Sequence, residues 1–144
     1  MFKSPSPLSD SARQTITQSL NTTLADGLDL HSQIKVAHWN VKGPLFPTLH
    51  PLFETFALGL AEYNDAIAER AVTLGGIARG TSRQVSEGTT IPEYPRSVTR
   101  DLEHVRLLAD RFEAWLERMQ LVDGDGMLLP TRADSRLLAA AASL

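Results

Sequence analysis

The rest of this chain is organised around HSQIKVAHWNVKGPLFPTLHPLFETFALGLAEYNDAIAERAVTLGG, the stretch from His31 to Gly76. It holds three of the four histidines, and the chain contains no cysteine. A metal site would therefore use imidazole and carboxylate ligands alone. The stretch predicts such a site on a helical hairpin, with five candidate ligands: His38, His50, Glu54, Asp65 and Glu69.

The composition is typical of one globular domain. The chain has 144 residues, of which 42% are hydrophobic and 22% charged, so we expect a single domain over residues 1–144, with residues 1–8 forming a mobile tail. We expect neither a signal peptide nor a membrane span, because no long apolar run is present, and hence a cytoplasmic protein. The formal net charge of -3 gives no general attraction to nucleic acid or anionic lipid.

Apolar residues recur at helical spacing along the first half of the chain. A first helix, capped by Ser9 or Ser11, should end near Lys42, where a glycine and a proline follow. A second helix should begin at Pro47-Thr48 and stop at Gly75-Gly76. The two segments predict a helical hairpin with a tight turn.

The second half predicts a crossover loop and further helices. Residues 77–96 are rich in glycine and proline, with one helical turn near Thr81 to Val85. Ser97 should cap a third long helix that ends before Asp123, and a last weak helix could run from about Ala133 to Leu144. No alternation typical of strands is present, so the predicted class is all-α.

The candidate ligands fall into two groups. The turn should bring His38 close to His50 and Glu54, which are one helical turn apart. Asp65 lies fifteen residues beyond His50, about 22 Å along the helix, so one subunit cannot place both groups on one ion. Two subunits in an antiparallel two-fold pair can, with Asp65 and Glu69 facing the histidines of the partner.

The surroundings of the two distant carboxylates agree with such a pair. Asp65 and Glu69 should share a helix face with Leu58, Ala61 and Val72, and apolar residues on that face favour burial against a second subunit. Spacing leaves the metal open between Fe(II), Mn(II) and Zn(II). A site with open positions suits iron reacting with a peroxide or dioxygen.

Three ordered motifs resemble the Dps family, the DNA-protection proteins from starved cells, also called miniferritins. They are AHWNVKG (Ala37 to Gly43), LHPLFETF (Leu49 to Phe56) and NDAIAERAVTLGG (Asn64 to Gly76), within a similarity over roughly residues 10 to 120. The resemblance implies a ferritin-like four-helix bundle with a short helix in the crossover between helices two and three. It also implies dimers that assemble into a hollow dodecamer.

The resemblance also implies a ferroxidase centre at the two-fold interface. His38 and His50 of one subunit would bind iron together with Asp65 and Glu69 of its neighbour, and Trp39 could take an oxidising equivalent. The implied reaction is oxidation of Fe(II), preferably by hydrogen peroxide, or by dioxygen. Storage of the ferric mineral would then protect DNA from oxidative damage.

Three further residues need comment. Glu54 falls where the family usually has an aspartate, so a second, weaker iron position is expected to be altered. His31 and His104 match no ligand position, and we expect them to be structural or surface residues.

The C-terminal part departs from the family, whose fourth helix normally continues well past the position of Leu144. We therefore expect a fourth helix that is short or incomplete, and an assembly-impaired relative with little ferroxidase activity stays an alternative. Asp123 and Asp125 could line an iron-entry pore, or form a simple turn.

Direct DNA binding is a weak expectation. The N-terminal region offers only Lys3 and Arg13, whereas tight DNA binding needs several cations. A DNA-compacting protein of the nucleoid remains a second alternative. A mononuclear metal hydrolase is a third, and it would need every ligand within one subunit.

Overall fold

The structure, a computed structural model, describes residues 1–122. They form the helices α1 (Asp10–Asn40), α2 (Phe46–Thr73), α3 (Ser82–Gly88) and α4 (Asp101–Val122). No strand is formed in this range, so the all-α prediction is confirmed. None of these helices is both long and apolar enough to cross a membrane. The predicted last helix from Ala133, together with Asp123 and Asp125, lies outside the described residues.

The first three helices begin and end near their predicted limits. Ser9 caps α1, with its hydroxyl accepting a hydrogen bond from the backbone N–H of Ala12 at 3.2 Å. The single turn predicted in the crossover is a short helix, α3. It starts with a capping box in which the side chains of Thr81 and Gln84 accept each other's backbone N–H groups.

The predicted start of the third long helix is wrong. Ser97 is not its cap, because α4 begins at Asp101. The segment before α4 runs beside the turn between α1 and α2 instead. The N–H of Lys42 donates to the carbonyl of Thr99 at 2.9 Å, and the N–H of Asp101 donates to the carbonyl of Lys42 at 3.1 Å. These bonds hold the segment extended, which is incompatible with helix.

The core lies along the seam between α1 and α2, which pack antiparallel because a five-residue turn joins them. Apolar side chains at helical spacing fill it, and α4 packs against α1. The core side chains that are completely or almost completely buried include Leu30, Ile34, Leu49, Phe53, Ile67 and Leu74. The periodicity of the two predicted helices thus identifies the buried face correctly.

A buried carboxylate attaches the crossover loop to the bundle. Asp26 on α1 is 2% exposed and accepts the backbone N–H of Thr90 at 2.6 Å. It also forms an ion pair with Nε of Arg118 on α4 at 2.7 Å. A buried charge is tolerated only when it is paired and hydrogen-bonded, and Asp26 meets both conditions.

The N-terminal residues make hydrogen bonds to the end of α2, while the mobility of residues 1–8 stays a prediction. The N–H of Phe2 donates to the carbonyl of Gly75 at 2.7 Å. Arg13, which is 7% exposed, donates to the carbonyls of Phe2 at 3.2 Å and Leu74 at 3.1 Å. Its guanidinium therefore ties the N-terminal residues to the end of α2, and the role of Arg13 in DNA binding stays a prediction.

His104 is a structural residue of the core. It is completely buried, and its Nδ1 is hydrogen-bonded to the Tyr94 hydroxyl at 2.5 Å. Burial lowers the pKa of His104, against the smaller raising effects of the Asn40 backbone and of the carboxylates of Glu103 and Asp101. The folded protein therefore favours the neutral imidazole.

This burial predicts a loss of stability in mild acid. As the pH falls below the ordinary histidine pKa of about 6.5, the unfolded chain binds a proton that folded His104 resists, so the free energy of unfolding decreases. In metal-free protein, the urea concentration at the unfolding midpoint should fall less steeply from pH 7 to pH 5 for His104→Gln than for the parent. Parallel pH profiles for the two proteins would contradict this explanation.

Candidate metal centre

A tight turn brings the two candidate histidines together. His38 lies in the last turn of α1 and His50 lies near the start of α2. Gly43, in the intervening turn, has φ +130°, a backbone conformation that favours glycine. The chain reverses within residues 41–45, so α2 runs back along α1.

The two imidazole rings hold each other in place. They stack with centroids 3.7 Å apart and planes 22° apart. Nδ1 of His38 is 2.8 Å from the backbone carbonyl oxygen of His50, and Nδ1 of His50 is 2.9 Å from that of His38. A carbonyl only accepts, so each Nδ1 carries a hydrogen and donates it. In the neutral rings each Nε2 then keeps a lone pair that can bind a metal ion.

Glu54 joins this pair but is already engaged. Its Oε2 lies 3.6 Å from Nε2 of His38, so the predicted proximity of all three side chains is confirmed. Lys35 on α1 donates a hydrogen bond to the same oxygen. This bond is the main reason why the pKa of Glu54 is lowered. Any metal ion that bound Glu54 would compete with the ammonium of Lys35.

Trp39 lies beside the pair and is open to solvent. Its side chain is 66% exposed, which is unusual for a tryptophan. The Lys35 ammonium is 5.9 Å from the centroid of its ring, within reach of a cation–π interaction. Lys35 thus links the tryptophan to the carboxylate of Glu54.

Asp65 and Glu69 are not part of this cluster. Both are exposed on α2, on a face where Leu58 is 64% and Val72 is 56% exposed. Within residues 1–122, no three histidine, aspartate or glutamate side chains of one chain are arranged so that they could hold a metal ion. A complete ligand set would need groups from outside the described part of this chain.

Sequence reasoning missed Lys35. A signal was available, because Lys35 precedes His38 by three residues and therefore lies on the same face of α1. A lysine on the ligand face of a helix indicates a cation that competes with the metal for nearby carboxylates.

The helical hairpin and its paired histidines define the class of protein. The fold is that of a ferritin-like protein, and the family model described as a ferritin-like domain matches residues 17–122. The chain is 38% identical over 134 residues to a DNA protection during starvation protein of Agrobacterium fabrum, which is 92% of this chain and 83% of that protein. The chain belongs to the Dps family.

Two further comparisons agree. The DNA protection during starvation protein 2 of Deinococcus radiodurans is 31% identical over 108 residues, covering 75% of this chain and 45% of that protein. DpsC from Streptomyces coelicolor superposes with a TM-score of 0.82 at 31% identity, over 98% of this chain and 89% of that chain. This chain therefore spans most of the length of the Agrobacterium relative and less than half of the length of the Deinococcus relative.

The engagement of Glu54 leads to a prediction about metal affinity. Lys35→Gln removes a cation that repels a divalent ion and occupies the carboxylate, so Co(II) should bind more tightly. The gain should be modest, up to about fivefold, because the pair is partly exposed to solvent. Calorimetric titration checks it. Lys42→Gln removes the same charge from the neighbouring turn and should bind Co(II) like the parent; equal affinities for all three proteins would contradict the prediction.

Proposed function

We propose that this protein oxidises Fe(II) and stores the ferric product, at centres that are each shared by two subunits. The observation that carries the proposal is the reciprocal hydrogen bonding of His38 and His50, which leaves both Nε2 atoms as metal donors. Family membership supports it, since a related Vibrio cholerae structure is described as belonging to the ferritin-like diiron-carboxylate proteins.

The remaining ligands are proposed to come from a second subunit. Asp65 and Glu69 lie at the opposite end of α2 from the histidines, so an antiparallel two-fold pairing would bring them to the partner's His38. The same pairing would bury Leu58 and Val72, which are exposed in the single chain. We further propose that these dimers build a dodecamer, as the resemblance to Dps implies.

Iron enters this chemistry as a substrate. Imidazole nitrogen and carboxylate oxygen suit Fe(II), and the carboxylates would stabilise the additional charge of Fe(III). Two Fe(II) ions together would supply the two electrons that, with two protons from solvent, reduce one hydrogen peroxide to two water molecules and leave two Fe(III) ions, so no hydroxyl radical would be released. Trp39, exposed beside the histidines, is proposed to take an oxidising equivalent when only one Fe(II) is present.

A test by complementation addresses the shared centre. His38→Ala/His50→Ala and Asp65→Ala/Glu69→Ala should each abolish rapid Fe(II) oxidation. When the two variants are unfolded together and refolded in equal amounts, half of the dimers are mixed. Each mixed dimer regains one of its two centres, so about a quarter of the parental rate should return. Ferric absorbance after peroxide addition measures it.

Two controls make the complementation decisive. Each variant refolded alone should stay inactive, and the size of the particles by light scattering should match the parent. No recovery in particles of parental size would mean that the centre is not shared between subunits.

Protection of DNA is proposed to follow from consumption of Fe(II) and peroxide, without direct contact. The relatives' names describe DNA protection, but here Arg13 is buried and the net charge is -3. A DNA-compacting function would need an exposed cluster of cations to contact phosphates.

A gel shift separates the two modes of protection. We expect no retardation of plasmid by the parent at low salt, while plasmid nicking by Fe(II) and peroxide is suppressed. His38→Ala/His50→Ala should fail to suppress nicking. Retardation that weakens steeply as salt rises would instead support the DNA-compacting alternative.

A further inference from the structure

Helix α2 begins without a cap of its own. Its N-cap residue is Leu45, whose side chain cannot accept a hydrogen bond. The N–H of Leu45 itself is bonded to α4, where Oδ2 of Asp101 accepts it at 3.0 Å. The other oxygen, Oδ1, accepts the N–H of Leu102 at 2.9 Å. One carboxylate therefore accepts an N–H group at the start of each of the two helices.

The same residue also holds the turn through its backbone. The N–H of Asp101 donates to the carbonyl of Lys42 at 3.1 Å, and the N–H of Lys42 donates to the carbonyl of Thr99 at 2.9 Å. The turn between α1 and α2 is thus attached to the start of α4 at Lys42 and again at Leu45. These attachments lie between His38 and His50 along the chain.

Gly43 makes this attachment possible. A Cβ at position 43 would lie 2.5 Å from Oδ2 of Asp101 and 2.9 Å from its Cγ, closer than real contacts allow. The φ of +130° adds a second requirement for glycine. Only the absence of a side chain lets the carboxylate reach the N–H of Leu45.

The carboxylate is suited to this role because it stays charged. Hydrogen bonds from the backbone N–H groups of Leu45 and Leu102 lower the pKa of Asp101. A charged acceptor near helix N-termini is also favoured by their dipoles.

We propose that Asp101, with Gly43, is a positioning residue for the His38–His50 pair. The two reciprocal bonds require the last turn of α1 and the first turns of α2 to stay in one register, and the turn held by Asp101 sets that register. Loss of the carboxylate removes the attachment at Leu45 while the backbone bonds at Lys42 remain, so the start of α2 can shift and the rings are held less firmly against the carbonyls that orient their Nε2 atoms. The inference rests on the proposed function in one respect, that these Nε2 atoms bind metal.

The first test compares metal affinity across matched variants. Co(II), which does not oxidise readily and absorbs in the visible range, is titrated into metal-free protein. Asp101→Ala should weaken binding about tenfold, as loss of an orienting partner typically does. Asp101→Asn keeps one acceptor oxygen, which can still accept the N–H of Leu45, and should recover part of the affinity. Glu103→Ala removes a carboxylate from the same turn of α4 and should bind Co(II) like the parent.

The second test does not depend on metal. Hydrogen exchange followed by mass spectrometry should show faster exchange in Asp101→Ala in a peptide covering residues 41–50 and, because Leu102 also loses its acceptor, at the start of α4, with α3 unchanged. Gly43→Ala should accelerate exchange in the same peptide, because its Cβ displaces the carboxylate. General destabilisation would accelerate exchange throughout the chain and lower the melting temperature to match.

The two arms separate the possible failures. Parental Co(II) affinity in Asp101→Ala overturns the positioning role, as does an equal loss in Glu103→Ala or exchange that accelerates everywhere. If the parent itself binds no Co(II), the proposed function fails. Faster exchange limited to residues 41–50 and the start of α4 would then still support the control of the turn by Asp101.

Discussion

The short connection between α1 and α2 is the constraint on which the rest of the structure depends. Five residues reverse the chain, so the end of one helix and the start of the next lie side by side. At that distance each histidine reaches the carbonyl of the other, which fixes both rings through bonds to Nδ1. The hairpin that forms the core thereby also orients the candidate metal donors.

Two side chains of opposite charge, Lys35 and Glu54, lie beside this pair and bind each other. Lys35 holds Glu54 and lowers its pKa, so the carboxylate nearest the histidines is charged yet engaged. A divalent ion must overcome that contact or rely on other carboxylates. This gives a physical reason why Asp65 and Glu69 of a second subunit would matter more in the proposed centre than Glu54 does.

The exposed face of α2 would serve both the proposed dimer contact and the proposed binding of iron. Leu58 and Val72 leave apolar surface open on the single chain, and the carboxylates between them belong to no group of three potential metal ligands within residues 1–122. In the proposed dimer, one contact would bury the apolar residues and complete the ligand set together. An unassembled subunit would then hold Fe(II) poorly, so oxidation would occur only where the product can be stored.

Local patterns in the sequence determined much of this protein. The three long helical segments, the all-α class, the tight turn and the proximity of His38, His50 and Glu54 all follow from spacing, because helical hydrogen bonds join residues four apart. Lys35 could have been found in the same way. The role of Asp65 and Glu69 stays a prediction, since it concerns a second chain.

Only the tertiary structure decided the start of α4, the hydrogen bond from Leu45 to Asp101, the docking of the N-terminus by Arg13 and the burial of His104. Asp101 acts on Leu45 from 56 positions away in the chain, and Arg13 acts on Leu74 from 61. No periodicity encodes such contacts, because they form only after the helices pack. The apolar pattern of each helix repeats among neighbours in sequence, and for that reason the sequence alone could predict the helices.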